Sequence, residues 1–264
     1  KKARETEGRN YGFFAWWFQF LIGGQKCAKI LNPTKKVLLP DAEADCAMAH
    51  MASAKKVQEM REKYEDLAVV CYINSTAALK TVSDVCVTSS NAVKIVKALP
   101  NKNIFFIPDE NLGSYVAKQV PEKNILLNDG YCPVHKKITV ETVRQTKAKY
   151  PQVEFLAHPE CTEEILAEAD FIGSTSDIIG YAEKSSKKEF LIGTEDGVFA
   201  ELMKKCPEKS FYSVMQGQCC ADMKKVTLEK VRDCLKEEKY EVEITEDTRE
   251  KAQKALDKML ELAK

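Results

Sequence analysis

Three cysteines recur at near-equal intervals: Cys46, Cys132 and Cys220 lie 86 and 88 residues apart. Each opens a similar stretch, "CAMAHMASAKKVQEMREKYEDLAVVCYIN", "CPVHKKITVETVRQTKAKYPQVEFLAHPE" and "CADMKKVTLEKVRDCLKEEKYEVEITED". If three such units surround a pseudo-threefold axis, three thiols converge on it. Three thiolates with no fourth suit a [4Fe–4S] cluster with one open iron, a Lewis acid for a substrate hydroxyl or carboxylate. A zinc ion on the same three cysteines is the rival occupant. Three buried packing cysteines that recur with the fold would share the spacing. In "QGQCCADMKK" only Cys220 keeps the register of Cys132 ahead of Lys-Lys, so Cys219 is expected to point away from any shared site.

Acid–base groups are few, because the chain has three histidines. His158 and Glu160 stand two apart in "AHPEC", and in extended chain such residues share a face. Together they suit proton transfer; alternatively, Glu160 caps the helix "TEEILAEA". His50 and His135 follow Cys46 and Cys132 by four and three residues. Either fits a hydrogen-bond partner of a ligand sulfur or an ordinary loop residue. Polar motifs follow the apolar runs: "YIN" (Tyr72, Asn74), "TSSN" (Ser89), "PDENLG", "GSTSD" (Ser174, Thr175) and "GTEDG". Hydroxyls and free backbone N–H groups at helix starts hold anions without a basic side chain. Simple N-capping would use the same residues.

The elements that must position these groups repeat as well. From cysteine to Tyr64, Tyr150 and Tyr240 is 18, 18 and 20 residues, covering a loop and an amphipathic helix before a strand. "DVCVTSSNAVKIVKALPNKNIFFIPDENLGSYV" from Asp84 recurs 86 residues on as "DFIGSTSDIIGYAEKSSKKEFLIGTEDGVFAEL" from Asp170. Short β-branched runs alternating with helices predict parallel sheets with helices on both faces. The fold class is therefore α/β: three α/β/α layers around a pseudo-threefold axis, the first incomplete. The expected domains are 1–50 with 221–264, then 51–134, then 135–220. "TEDTREKAQKALDKMLELAK" predicts a closing amphipathic helix with a Thr-x-x-Thr start.

Bulk properties narrow the function class. The chain has 264 residues, 44% hydrophobic, with 40 basic and 40 acidic side chains. Zero net charge gives no pull toward nucleic acid or membrane. Ten cysteines without a CxxC pair suggest free thiols in a reducing, cytoplasmic setting. "FFAWWFQFLI" at 13–22 is about half of the ~20 residues that span a bilayer. It is expected to be a core strand or a replaced N-terminus, running into a buried-strand pattern in "CAKILNPTKKVLLPD".

The chain resembles quinolinate synthase, the NadA-type enzyme of NAD biosynthesis, over roughly residues 28–264. The resemblance rests on "ILNPTKKVLLPDAEADC", "CYINSTAALK", "CVTSSNAVKIV", "IFFIPDENLG", "GYCPVH", "LAHPEC", "DFIGSTSDII", "FLIGTEDG" and "CADMKKVTLEKV". It implies three homologous domains around a [4Fe–4S] cluster with one open iron, held by Cys46, Cys132 and Cys220. It implies a transferase that condenses iminoaspartate with dihydroxyacetone phosphate, losing phosphate and two waters as it closes a pyridine ring. Glu160, Tyr72 and His158 match catalytic positions. Tyr72, Asn74, Ser89, His158, Glu160, Ser174 and Thr175 match substrate-binding ones, and His135 matches the histidine after the second ligand. A separate aspartate oxidase or dehydrogenase would supply iminoaspartate. The family's N-terminal His-x-Tyr-Gln and Gly-Asp-Ser motifs are absent, so residues 1–27 are expected to be replaced or read out of frame and turnover to be weak or absent. Other readings of the same residues are a different [4Fe–4S] hydro-lyase, or a non-catalytic metal-stabilised repeat protein that binds an anion.

Overall fold

"LAVVCY" is apolar at nearly every position and forms β1 (Leu67–Tyr72), a strand buried along its whole length. A strand with no polar face needs cover on both sides, as parallel sheets have. The computed structural model describes residues 21–264 and contains two such sheets. The first runs β2-β1-β3-β4, with β2 (Val85–Val87), β3 (Asn103–Ile107) and β4 (Asn124–Leu127). The second runs β6-β5-β7-β8, with β5 (Glu154–Ala157), β6 (Phe171–Ile172), β7 (Glu189–Gly193) and β8 (Ser210–Ser213). All pairings within them are parallel. The fold class is α/β, and the two sheets repeat one strand order.

Helices connect the strands. In chain order they are α1 (Leu21–Leu31), α2 (Ala54–Lys63), α3 (Ala77–Thr81), α4 (Ala92–Ala98), α5 (Glu110–Gln119), α6 (Pro133–Lys136), α7 (Val140–Lys149), α8 (Glu163–Ala167), α9 (Thr175–Lys184), α10 (Val198–Lys205), α11 (Leu228–Glu237) and α12 (Glu246–Leu262). Two 3-10 turns, Ala47–His50 and Met223–Lys225, follow Cys46 and Cys220. Strand alternation sorts the second core into two faces. Phe155, Ala157 and Leu191 pack with Val143 and Ile165, while Leu156, Phe190 and Ile192 pack with Ile178, Ile179 and Leu202. Each of these large side chains, fully buried, adds about 1.5–3 kcal/mol.

The repeat has a physical basis in its aspartates. Asp84 Oδ2 accepts from the Val69 N–H at 2.6 Å, and Asp170 Oδ2 from the Phe155 N–H at 2.7 Å. Arg61 and Lys147 pair with those carboxylates at 2.8 and 3.3 Å. Each aspartate thus ties the return to the edge strand to the central strand. The start of each helix repeats too: Ser53, Thr139 and Thr227, each seven residues after its cysteine, cap α2, α7 and α11.

The first unit departs from expectation. "CAKIL" is the end of α1, where a buried strand was expected; Cys27 and Ile30 lie on one face and are buried. Pro33 disfavours helix at Asn32, where α1 stops. Residues 37–39 make only an isolated antiparallel bridge to 240–242, so the strand expected after α11 forms no ladder among the described residues. With no parallel neighbour there, a lone segment cannot build a sheet. Of the core strand expected at 13–22, residues 13–20 lie outside the described residues, and Leu21 and Ile22 belong to α1. α12 has the predicted start, the Thr245 hydroxyl accepting from the Thr248 N–H. It buries Ala252, Ala255, Leu256 and Met259 against α3, β2 and α1. No helix among the described residues is long and apolar enough to cross a membrane.

Asp84→Ala and Asp170→Ala each leave a buried strand N–H without its acceptor. Each is expected to cost about 1–3 kcal/mol in urea unfolding, and the two by similar amounts. A loss from only one of them would contradict the equivalence.

Candidate active site

In both sheets the strand order reverses beside the first strand, so a crevice opens at the carboxyl ends of β1 and β3, and of β5 and β7. One cavity of about 620 Å³ lies there. Its lining includes Cys46, Cys132, Cys220, Tyr72, Asn74, Ser89, His135, His158, Glu160, Ser174 and Thr175, so all but one of the site candidates named in the sequence meet in one place. Among the described residues its lining contains no Lys or Arg. His50 is elsewhere, exposed, with Nε2 2.7 Å from Asp45 Oδ2.

Glu160 is the centre of the polar network. It does not cap α8, whose N-cap is Thr162. Its carboxylate is 4% exposed and accepts from the Tyr72 hydroxyl at 2.6 Å. His135 Nδ1 stands 3.1 Å from the other oxygen, too oblique for a good hydrogen bond. His135 Nε2 is 3.0 Å from Thr194 Oγ1, and its ring stacks on His158 at 5.0 Å. The Glu160 N–H donates to His158 Nδ1 at 3.3 Å, which leaves the proton of a neutral ring on Nε2. Burial alone pushes the Glu160 carboxyl up, but the contact with His135 and the other donors around it outweigh burial and hold it well below the usual carboxylate range. Burial pushes His158 down to about 4. Burial and the adjacent Glu160 push the Tyr72 phenol well up. At neutral pH the site therefore holds an ionised carboxylate beside a neutral phenol and a neutral His158.

The helix starts offer less free hydroxyl than their sequences suggest. The Ser174 hydroxyl accepts from the Asp177 N–H and donates to the Asp177 carboxylate, so capping occupies it. Ser89 lines the cavity. Thr88 and Ser90, which the sequence did not single out, are 2.9 Å apart at their hydroxyls and line the same wall.

The three cysteines share a setting at helix starts, the carbonyl bond spanning three residues at Cys46 and four at Cys132 and Cys220. Each starts a helical turn, its carbonyl accepting from the N–H of Ala49, Lys136 or Lys224 at 2.9, 3.0 and 3.1 Å. All are free thiols, and Cys219 is exposed where Cys220 is partly buried and lines the cavity. Burial raises Cys46 to about 12 and Cys132 well above the usual thiol range, so both favour the neutral thiol until a cation arrives. Cys132, His135 and Glu160 also bring one ligand atom each within 4.8 Å of one another. Three thiols with no fourth fit a metal cluster that leaves one metal position open. Sequence reasoning missed Asp109 and Glu195, which are buried at the ends of β3 and β7 beside these cysteines. Their only signal was the shared position of "PDE" and "TED" in the repeat.

The fold and site define an α/β protein with a three-thiol cavity at the carboxyl edges of two parallel sheets. The family described as Quinolinate synthetase A protein matches residues 25–261, and the chain belongs to that family. It is 52% identical over 235 residues to the quinolinate synthase of Caldicellulosiruptor bescii, a match covering 89% of this chain and 78% of the relative. With the quinolinate synthase of Fusobacterium nucleatum it shares 54% over 235 residues, again 89% and 78% of the two chains. With quinolinate synthase 2 of Methanosarcina acetivorans it shares 47% over 236 residues, 89% and 76%.

His158 supplies a pH test of this electrostatic picture. Its value in the fold, about 4, lies below the ordinary imidazole value of about 6.5. Stability from keeping it neutral is therefore complete above pH 6.5 and is lost as pH falls toward 4. Between pH 7 and pH 5 the unfolding free energy is expected to drop by about 2 kcal/mol from this group. His158→Gln removes that share of the slope; an unchanged slope would contradict a buried neutral His158.

Proposed function

We propose that the chain acts as a quinolinate synthase, joining iminoaspartate to dihydroxyacetone phosphate and closing the ring with loss of phosphate and water. The observation that carries this reading is the meeting of three repeat-equivalent cysteines and a buried Tyr72–Glu160 pair in one cavity. Cys46, Cys132 and Cys220 would hold a [4Fe–4S] cluster. When bound, that cluster supplies a Lewis acid with one open iron, which favours loss of water. The unit division is 1–50 with 221–264, 51–134 and 135–220 about a pseudo-threefold axis. The repeated strand order of the two sheets supports it.

The chain's own residues do the rest. Glu160 is ionised and already accepts from Tyr72, so it takes a proton from the substrate and returns it to a leaving hydroxyl. Tyr72 is neutral and within 2.6 Å of that carboxylate, so it orients Glu160 and donates to a substrate oxygen when the pair opens. His158 presents Nε2–H to a carboxylate. Asn74, Ser89, Thr175 and the backbone N–H groups at the start of α9 hold the remaining carboxylate and phosphate oxygens. Neutral donors suit this task, since a basic side chain in the cavity would neutralise Glu160. His135 steadies Glu160 from the opposite side through its Thr194 contact. A cytoplasmic enzyme of this kind depends on an aspartate oxidase or dehydrogenase for its imine.

Anaerobic reconstitution followed by a quinolinate assay tests the reading; a colourless protein, or zinc in place of iron, would overturn it. Cys220→Ser is expected to abolish the cluster absorbance while Cys219→Ser keeps it, and equal loss in both would contradict the assignment. Glu160→Gln is expected to keep the absorbance and lower kcat by about 10²–10⁴ relative to the parent chain. A kcat within threefold of the parent would remove Glu160 from proton transfer.

A further inference from the structure

A thiol holds a metal only as firmly as its backbone is held. Cys132 and Cys220 both sit on loops beyond the last strand of their sheet, without ladder partners of their own. Each loop nevertheless returns to the strand end in the same way. The Glu110 N–H donates to the Gly130 carbonyl at 2.7 Å, and the Asp196 N–H to the Gln218 carbonyl at 2.9 Å. Two residues further on, the cysteine N–H meets a carboxylate. Cys132 N–H donates to Asp109 Oδ2 at 3.2 Å, and Cys220 N–H to Glu195 Oε1 at 3.2 Å.

The two carboxylates are 86 residues apart, the repeat offset, and are 0% and 4% exposed. Each is itself fixed from behind. Asp109 Oδ1 accepts from the Leu112 N–H at 2.7 Å at the start of α5. Glu195 Oε2 accepts from the Gly197 N–H at 2.6 Å, and Lys224 pairs with Oε1 at 3.1 Å. The backbone pairing and the carboxylate make a two-point anchor on the chain leading into the cysteine. The remaining cysteine has a local version, its N–H donating to Asp45 Oδ1 at 2.6 Å. Close approach guards the first anchor, since a Cβ on Gly130 would lie 2.5 Å from the Pro108 carbonyl oxygen and 2.8 Å from Met51 Cβ.

We propose that Asp109 and Glu195 are positioning residues for the metal centre, each fixing the backbone of one ligand cysteine, Cys132 and Cys220, from the strand end across the crevice. The proposal rests on the three-cysteine reading of the site. It predicts that these residues govern how long iron stays bound, independently of overall stability.

The test is iron release from the reconstituted holoprotein to a colorimetric ferrous chelator, followed beside the decay of the visible absorbance. Asp109→Ala and Glu195→Ala are expected to release iron at least tenfold faster than the parent. Asp109→Asn and Glu195→Gln keep one acceptor oxygen and are expected to fall between. Asp84→Ala weakens the same sheet at the amino end of β2, opposite the carboxyl ends that face the cavity, and is expected to release iron at the parent rate. Release at the parent rate from all four anchor variants, with a bound cluster in the parent, overturns the positioning role alone. Acceleration by Asp84→Ala equal to that by Asp109→Ala also overturns it, because loss of stability would then explain the effect. A parent chain that binds no iron after anaerobic reconstitution overturns the cluster reading itself.

Discussion

An ionised carboxylate cannot remain inside a protein unless polar groups replace the water it has lost. Glu160 is that carboxylate, and the groups that replace water come from two different sheets. Tyr72 arrives from the end of β1, while His158 and Glu160 leave β5 together. His135 arrives from the short helix after Cys132. The two sheets therefore have to face each other at their carboxyl ends, at one spacing, for the charge to be tolerated. That requirement brings the loops of Cys132 and Cys220 to the same cavity. It also accounts for the absence of Lys and Arg from the described lining, where neutral donors support the charge without cancelling it.

The repeat turns this constraint into an economical construction. One strand order, one aspartate tie between neighbouring strands and one N-cap seven residues after each cysteine are used again. The equivalent positions then diverge where the chemistry needs different groups. Tyr72 and His158 are 86 residues apart at the ends of β1 and β5, one a phenol and the other an imidazole. Asp109 and Glu195 keep a carboxylate in both units. Positions that shape the backbone repeat in chemical type, as do the three cysteines and the hydroxyls Ser89 and Thr175, while the strand-end positions Tyr72 and His158 differ.

Much of this was legible in the sequence because the repeat reports on three-dimensional equivalence without a structure. Cys220 was separable from Cys219 by register, and Tyr72, His158 and Glu160 by their places just past apolar runs. Asp109 was not legible, because an aspartate before a helix looks like an N-cap, and it is one. Its second oxygen reaches Cys132 only after β3 and the ligand loop are side by side. Ser174 carried two readings in the sequence, anion donor or N-cap, and its hydroxyl caps α9 through Asp177 while the residue lines the cavity. "CAKIL" was assigned to the run-up of a strand since short apolar stretches fit either period, and α12 supplies the helical packing partner from the far end of the chain.

On the proposed reading, Cys46, Cys132 and Cys220 hold four irons and leave one of them open to ligand. Mössbauer spectroscopy of the ⁵⁷Fe-reconstituted protein tests it most directly, with and without added quinolinate. With one open iron, the ligand shifts the signal of one iron in four and leaves the other three unchanged. Four irons that respond alike, or none that respond, would contradict it.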